Sequence, residues 1–199
     1  MIPFTLCSQP GCTRFALFGR ATCCEHLEDR GAYFEELRLF LRRNEELSDL
    51  ELSYVDLSGL DLSGKSLDFC HLSHARLSEV NLDNTRIRLL FLDFSHLSGC
   101  SLKKSHLLCA VFAGARIEGC DFSASDLLRC NFSGVECADT RFDNSDLYAS
   151  RFIGARLRGV SFQDCNLTRV RFEHADVAGA QFKYSNPDTS AFGITGDGG

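Results

Sequence analysis

The chain has 199 residues, 44% of them apolar, enough to bury one continuous core. Its net charge of −6 is thinly spread, with 17 acidic and 14 basic side chains between residues 50 and 182, as on an ordinary solvated surface. No run of 18 apolar residues and no basic-then-apolar leader occurs, which argues against a membrane-spanning helix and leads us to expect a soluble, cytoplasmic protein.

Residues 1–26 share no pattern with the rest of the chain. Cys7, Cys12, Cys23 and His26 are spaced C-x4-C-x10-C-x2-H, and Pro10-Gly11 makes a turn just before the second cysteine. Four such ligands suit a tetrahedral Zn²⁺. A segment this short has almost no core of its own, so metal binding would supply its folding free energy. Cys24 competes with Cys23 for the third ligand position, since C-x-H is a tighter chelate than C-x2-H; Cys23 is favoured. With Cys12-Thr13-Arg14, Ala16 and Gly19, the segment also resembles, imperfectly, a zinc-knuckle motif written C-x4-C-R-x-A-x-x-G-x-C-x2-H, found at the ends of many bacterial and phage proteins. Direct nucleic-acid binding through Arg14, Arg20, Arg38, Arg42 and Arg43 is disfavoured, since Glu25, Glu28, Asp29, Glu35 and Glu36 offset those charges.

Residues 27–48 are expected to form a capping unit. Tyr33, Phe34, Leu37, Phe40 and Leu41 share one face of a helix over 27–47, Glu28 and Asp29 suit its start, and Arg42 and Arg43 suit its end before Asn44. Such a helix would cover the open end of the repeat region.

Residues 49–185 carry the dominant pattern: a large apolar residue at every fifth position from Leu52 to Phe182, with a second, mostly small set two places before them. Five residues fit neither a helix nor a strand, so the chain must turn a corner every pentad. From Phe112 to Phe182 the series alternates phenylalanine with Ile, Leu, Cys or Val. Four pentads per turn would stack Phe on Phe, whereas three would stack Phe on aliphatic residues. The expectation is a square coil of 20 residues per turn, with strand-like spacing of about 4.8 Å between coils. Lys65, Leu60 and Leu90 at small positions and Cys137 at a large one predict local distortion.

Stretches such as Val55-Asp56-Leu57-Ser58-Gly59 and Ala175-Asp176-Val177-Ala178-Gly179 resemble the A(D/N)LXX repeat of the pentapeptide-repeat family. The resemblance implies an all-β solenoid, a right-handed quadrilateral β-helix, over about two thirds of the chain. Residues 186–199 read as a closing segment and a disordered tail after Pro187.

Cys70, Cys100, Cys120, Cys130, Cys137 and Cys165 fall on inward positions, where a thiol is a small filler, and only Cys109 in the coil points out. Cys100 and Cys120 lie one turn apart; a reduced pair is favoured over a disulfide. The histidines of the coil share no corner with the Asp and Ser of a triad, and no P-loop or dinucleotide fingerprint occurs, which argues against an enzyme.

Wrapped at 20 residues, the sequence puts Phe69, Leu89, Phe91, Phe94, Leu108, Val111, Leu128 and Tyr148 on outward or corner positions along one edge. A strip this tall is expected to be covered, by the amino-terminal unit or, the favoured reading, by a second chain or a protein partner. Two functional classes fit. The first is a binding scaffold with a zinc unit and this strip. The second is implied by the resemblance: a DNA-mimic regulator of a type II topoisomerase such as gyrase, conferring fluoroquinolone tolerance. Mimicry needs dense carboxylate columns, whereas the column Asp56, Arg76, His96, Arg116, Glu136, Arg156, Asp176 changes sign repeatedly.

Overall fold

The structure is a computed structural model and describes residues 4–185 and Pro187. The chain winds as a right-handed square coil in which each residue pairs in parallel with the one 20 positions later, as in Glu46↔Ser66 and Leu67↔Ile87. Strands β1 (Glu46–Ser48), β2 (Ser66–Asp68), β4 (Arg86–Arg88), β6 (His106–Leu108) and β8 (Asp126–Leu128) stack on one side, here side 1. The opposite side, side 3, holds β3 (Arg76–Ser78), β5 (His96–Ser98), β7 (Arg116–Glu118), β9 (Glu136–Ala138) and β10 (Arg156–Arg158). Sides 2 and 4, carrying Phe112 and Phe122, are joined coil to coil by single bridges such as Phe91↔Val111 and Ser101↔Asp121.

A five-residue side is short enough to turn because its last residue enters the left-handed region. Gly114 has φ 64°, and non-glycine residues at the same corner position, such as Phe69 (φ 56°) and Leu89 (φ 52°), adopt it too. The repeated interlocking ladder over-determines a conformation that costs a lone residue free energy.

Inside, Phe132 stacks on Phe112 and on Phe152 at 4.7 Å, while Phe142 stacks on Phe122 at 4.8 Å and on Phe162 at 5.1 Å. The two ladders meet edge to face, as in Phe142 and Phe152 at 5.7 Å and 88°, the geometry that ring quadrupoles favour. The four-sided expectation, read from the alternation of Phe with aliphatic residues, therefore holds, and the same 20-residue pairing continues through the Leu-rich first coils.

The small inward residues carry more than filling. Ser105 and Ser125 donate to the carbonyls of Leu82 and Leu102, both at 2.7 Å, and Ser125 accepts from the Ser105 amide at 3.0 Å. Inward thiols make the same bond: Cys100 to Leu77 at 3.0 Å and Cys165 to Phe142 at 2.9 Å. A corner leaves backbone groups turned into a dry core, and each must be paired. The reading of these cysteines as apolar filler is therefore incomplete. All eleven cysteines, Cys100 and Cys120 included, are free thiols.

The expected distortions do not occur. Strand β9 pairs with both neighbours through Cys137, and the ladder runs unbroken past Leu60, Lys65 and Leu90. Leu90 is accommodated between the smaller Cys70 and Ala110 in its stack. Leu60 and Lys65 lie in the first coil, where the space above belongs to the cap.

That cap is α1 (Arg30–Arg43), shorter than the expected 27–47. Asp29 caps it by accepting from the Ala32 amide at 2.9 Å, and Asn44 closes it with its amide and side chain on the Phe40 carbonyl. Tyr33, Leu37 and Leu41 are buried against the first coil. The coil itself begins at Glu46, a few residues before the expected boundary, because Leu47 extends the five-residue series one step upstream of Leu52. The expected closing segment and tail, 186–199, lie outside the described residues apart from Pro187.

Candidate metal centre and association face

Residues 5–26 form a knuckle on the first coils. An antiparallel bridge joins Leu6 and Phe15, the Cys7 amide donates to the Arg14 carbonyl at 2.8 Å, and Gly11 (φ 79°) turns the chain between them. A 3-10 turn, Cys24–His26, then brings His26 back. The ligand atoms of Cys7, Cys12, Cys23 and His26 all lie within 4.8 Å of one another. Cys7 Sγ and Cys23 Sγ are 3.3 and 3.4 Å from His26 Nδ1, and Cys12 Sγ is 3.9 Å from Cys23 Sγ. A tetrahedral zinc with ordinary bond lengths has S···N and S···S edges of about 3.6 and 3.8 Å, so the cluster fits such an ion.

Burial opposes ionisation of Cys7, yet the backbone amides of Cys23 and Gln9 and the His26 side chain outweigh it and bring the thiol down to about 6. Cys7 is thus biased toward the thiolate that a metal requires, whereas at Cys12 the Arg14 backbone, which favours the thiolate, is outweighed by burial and by the Cys23 and Cys7 thiols, which push that thiol up. Cys24 points elsewhere: its Sγ lies 3.5 Å from the Tyr54 carbonyl, and burial pushes its thiol up.

The knuckle is fastened to the coil by several polar and aromatic contacts. The Phe18 amide donates to the Glu51 carbonyl at 2.9 Å, Arg14 lies over the Tyr54 ring at 4.5 Å, and Phe4 packs on His71 at 4.4 Å. Two columns that these contacts extend were not foreseen from sequence. Tyr54, His74 and Phe94 stack at 4.6 and 5.3 Å on the corner between sides 2 and 3, and His71 meets Phe91 at 4.5 Å on side 2. Wrapping at 20 would have shown both, since 54, 74 and 94 share a corner.

Of the residues expected on the apolar strip, Phe69, Leu89 and Leu108 are exposed on the corner and outer face of side 1. Leu128 and Tyr148 continue it half-buried, and Phe91 and Val111 flank it on side 2. Phe94 does not belong to it: it ends the next side and projects from the next corner, 61% exposed, over Gly114. Along side 1 a groove of about 550 Å³ is lined by Arg86, Arg88, His106, Leu108, Asp126 and Leu128, among others. Among the described residues, those of the amino-terminal unit reach the first coils and leave Phe69, Leu89 and Leu108 exposed.

On side 3 the outward column Asp56, Arg76, His96, Arg116, Glu136, Arg156 runs bridge to bridge and pairs internally, Arg156 with Glu136 at 2.5 Å. Among the described residues no helix is long and apolar enough to cross a membrane.

Two family models match the chain: one described as pentapeptide repeats (8 copies) over residues 51–88 and 92–123, and one described as pentapeptide repeat region over 125–193. No curated protein matches. Similar solved structures include HetL, a pentapeptide repeat protein involved in heterocyst differentiation regulation from the cyanobacterium Nostoc sp. strain PCC 7120. It is 18% identical over 76% of this chain and 93% of its own, with a TM-score of 0.35. A trypsin-treated form of QnrB1, a plasmid-mediated fluoroquinolone resistance protein, is 19% identical over 73% of this chain and 83% of its own, with a TM-score of 0.39. The pentapeptide repeat protein Rfr23 from the cyanobacterium Cyanothece 51142 is 16% identical over 77% of this chain and 99% of its own, with a TM-score of 0.26.

Proposed function

The chain belongs to the pentapeptide-repeat family, and we propose that it is a non-enzymatic, protein-binding rod. In this reading the knuckle holds one structural zinc through Cys7, Cys12, Cys23 and His26, and the apolar strip of side 1 docks a second chain or another protein. The observation that carries it is the run of Phe69, Leu89 and Leu108, each more than a third exposed and adjoining one groove, on a rod whose other outward positions are mainly polar or glycine. Apolar groups left together in water favour coverage by another surface. The sign changes and internal pairing of the side 3 column argue against a DNA mimic, which needs uncompensated carboxylates at phosphate-like spacing. On this reading the protein does not inhibit gyrase supercoiling.

Cys109 provides the test. It lies beside Leu108 and is the one thiol of the coil that is not buried. If the strip is covered, alkylation of Cys109 in the zinc-loaded protein slows as protein concentration rises or partner is added, and Leu108→Glu with Leu128→Glu restores the fast rate. A rate independent of concentration, partner and these substitutions would remove the strip as a docking face.

A further inference from the structure

We infer that the occupant of side 1 is a second copy of this chain, lying antiparallel across a two-fold axis that passes between the coils of His106 and Asp126. This rests on the reading of side 1 as a docking face and adds the partner, its direction and its register.

The order of the outward columns sets that register. Ser66, Arg86, His106, Asp126 and Asp146 pair in succession along one column, which below Glu46 runs from basic to acidic, with His106 Nδ1 2.7 Å from Asp126 Oδ2 within the chain. Beside it run Arg88, Leu108 and Leu128, paired in the same way, with Tyr148 one coil further. A two-fold axis lying across the rods reverses each column against its own copy. With the axis between the His106 and Asp126 coils, Arg86 meets the copy's Asp146, and His106 meets the copy's Asp126. In the neighbouring column Leu108 meets Leu128 over the groove, and Arg88 meets the Tyr148 ring, a favourable cation–π partner. Arg86, Arg88, His106, Asp126 and Asp146 then each face an opposite charge or an aromatic ring, while Asp68, which pairs with Arg88 in its own chain, faces Thr168.

Other arrangements do worse. A two-fold axis running along the rods sets Arg86 against Arg88 and Asp126 against Leu128. Moving the antiparallel axis by half a coil, to the level of His106, sets His106 on its own copy and Arg88 on Leu128. Like charges in contact and charges set against apolar groups are how interfaces reject wrong registers.

Arg86 is suited to an intermolecular role. It is exposed and forms no ion pair among the described residues, whereas Arg88 is held in two bonds by Asp68 at 3.1 and 2.7 Å. Asp146 accepts from the Tyr148 amide and Asn166 through Oδ1, both at 2.9 Å, which fixes its carboxylate and leaves Oδ2 for a new partner.

Sedimentation of full-length, zinc-loaded protein tests the register by charge exchange. Arg86→Asp puts two carboxylates together at each end, and Asp146→Arg puts two guanidinium groups together. Each variant alone is expected to weaken self-association at least tenfold. An equimolar mixture of the two restores it, because every contact in the mixed pair is again opposite in charge. Both positions are on the surface, and unchanged circular dichroism shows that the rod is intact. A mixture that associates no better than either variant overturns the register. A parent chain that is monomeric throughout overturns the second copy. A dimer indifferent to these changes and also to Leu108→Glu shows that side 1 is not the docking face, and overturns the underlying reading as well.

Discussion

The ammonium of Lys65 donates to the carbonyl of Asn44 at 2.9 Å and to that of Arg42 at 3.3 Å, joining the first coil of the rod to the end of α1. Its side chain is 6% exposed, and Glu45 lies 3.5 Å away. The helix ends with carbonyls that have no partner within it, and a cation at that end is favoured by the helix dipole. The residue that breaks the repeat pattern thus fastens the cap. Lys65→Met keeps the stem and removes the donor, so it is expected to cost about 1–3 kcal/mol, the usual penalty for stranding buried polar groups. Hydrogen exchange should show α1 opening before the coil, whereas uniform protection of both would contradict the role.

Truncation of the phenylalanine ladder tests the packing. Phe142→Ala removes a ring held between Phe122 and Phe162 and flanked edge-on by Phe132 and Phe152, and is expected to cost about 3–5 kcal/mol by cavity formation. Ser123→Ala, on the outer face of the same side, should cost less than about 0.5 kcal/mol. Denaturant melts of the two variants should differ accordingly, and equal midpoints would refute the inward register.

The buried thiols set an upper pH limit. Burial pushes Cys70, Cys130 and Cys137 from 9.0 up to about 12, so they remain protonated in the rod. Above pH 9 the unfolded chain loses these protons first, and stability therefore falls as pH rises from about 9 toward 12. The loss approaches about 1.4 kcal/mol per pH unit for each thiol. Replacing Cys130 by Ser, which at position 150 makes the equivalent inward bond to Leu127 at 2.6 Å, should flatten the decline by one thiol's share in melts across that range.

About one zinc per chain is expected from elemental analysis of protein purified without chelator. Cys12→Ser should lose it and loosen residues 5–26 while the β signal of the rod persists. Metal retained in that variant, or none in the parent, would remove the site.

The geometry of the rod was legible because every fifth residue carries the same requirement, and the alternation of Phe112, Ile117, Phe122 and Leu127 distinguishes four sides from three. The knuckle was legible because ligand chemistry tolerates few spacings. What a linear pattern could not show is interaction between different parts of the chain. Lys65 looks like a defect until the end of α1 stands above it. Phe94 looks like part of the strip because it is near Phe91 in sequence, yet it ends side 2 and projects from the far corner, away from side 1. The inward serines and thiols look like small volume, whereas the carbonyls they satisfy lie 23 residues earlier. The order of charge along side 1 is present in the sequence, but it acquires meaning only when a second rod is laid against it.

Sedimentation equilibrium of the intact chain, alone and as Leu108→Glu with Leu128→Glu, tests the pairing of rods through side 1 most directly. The parent mass is expected to approach twice the 22.1 kDa of one chain at micromolar concentration, and the substituted chain to stay at 22.1 kDa with its circular dichroism unchanged. A parent that stays at 22.1 kDa at every concentration, or a dimer that survives both substitutions, would contradict it.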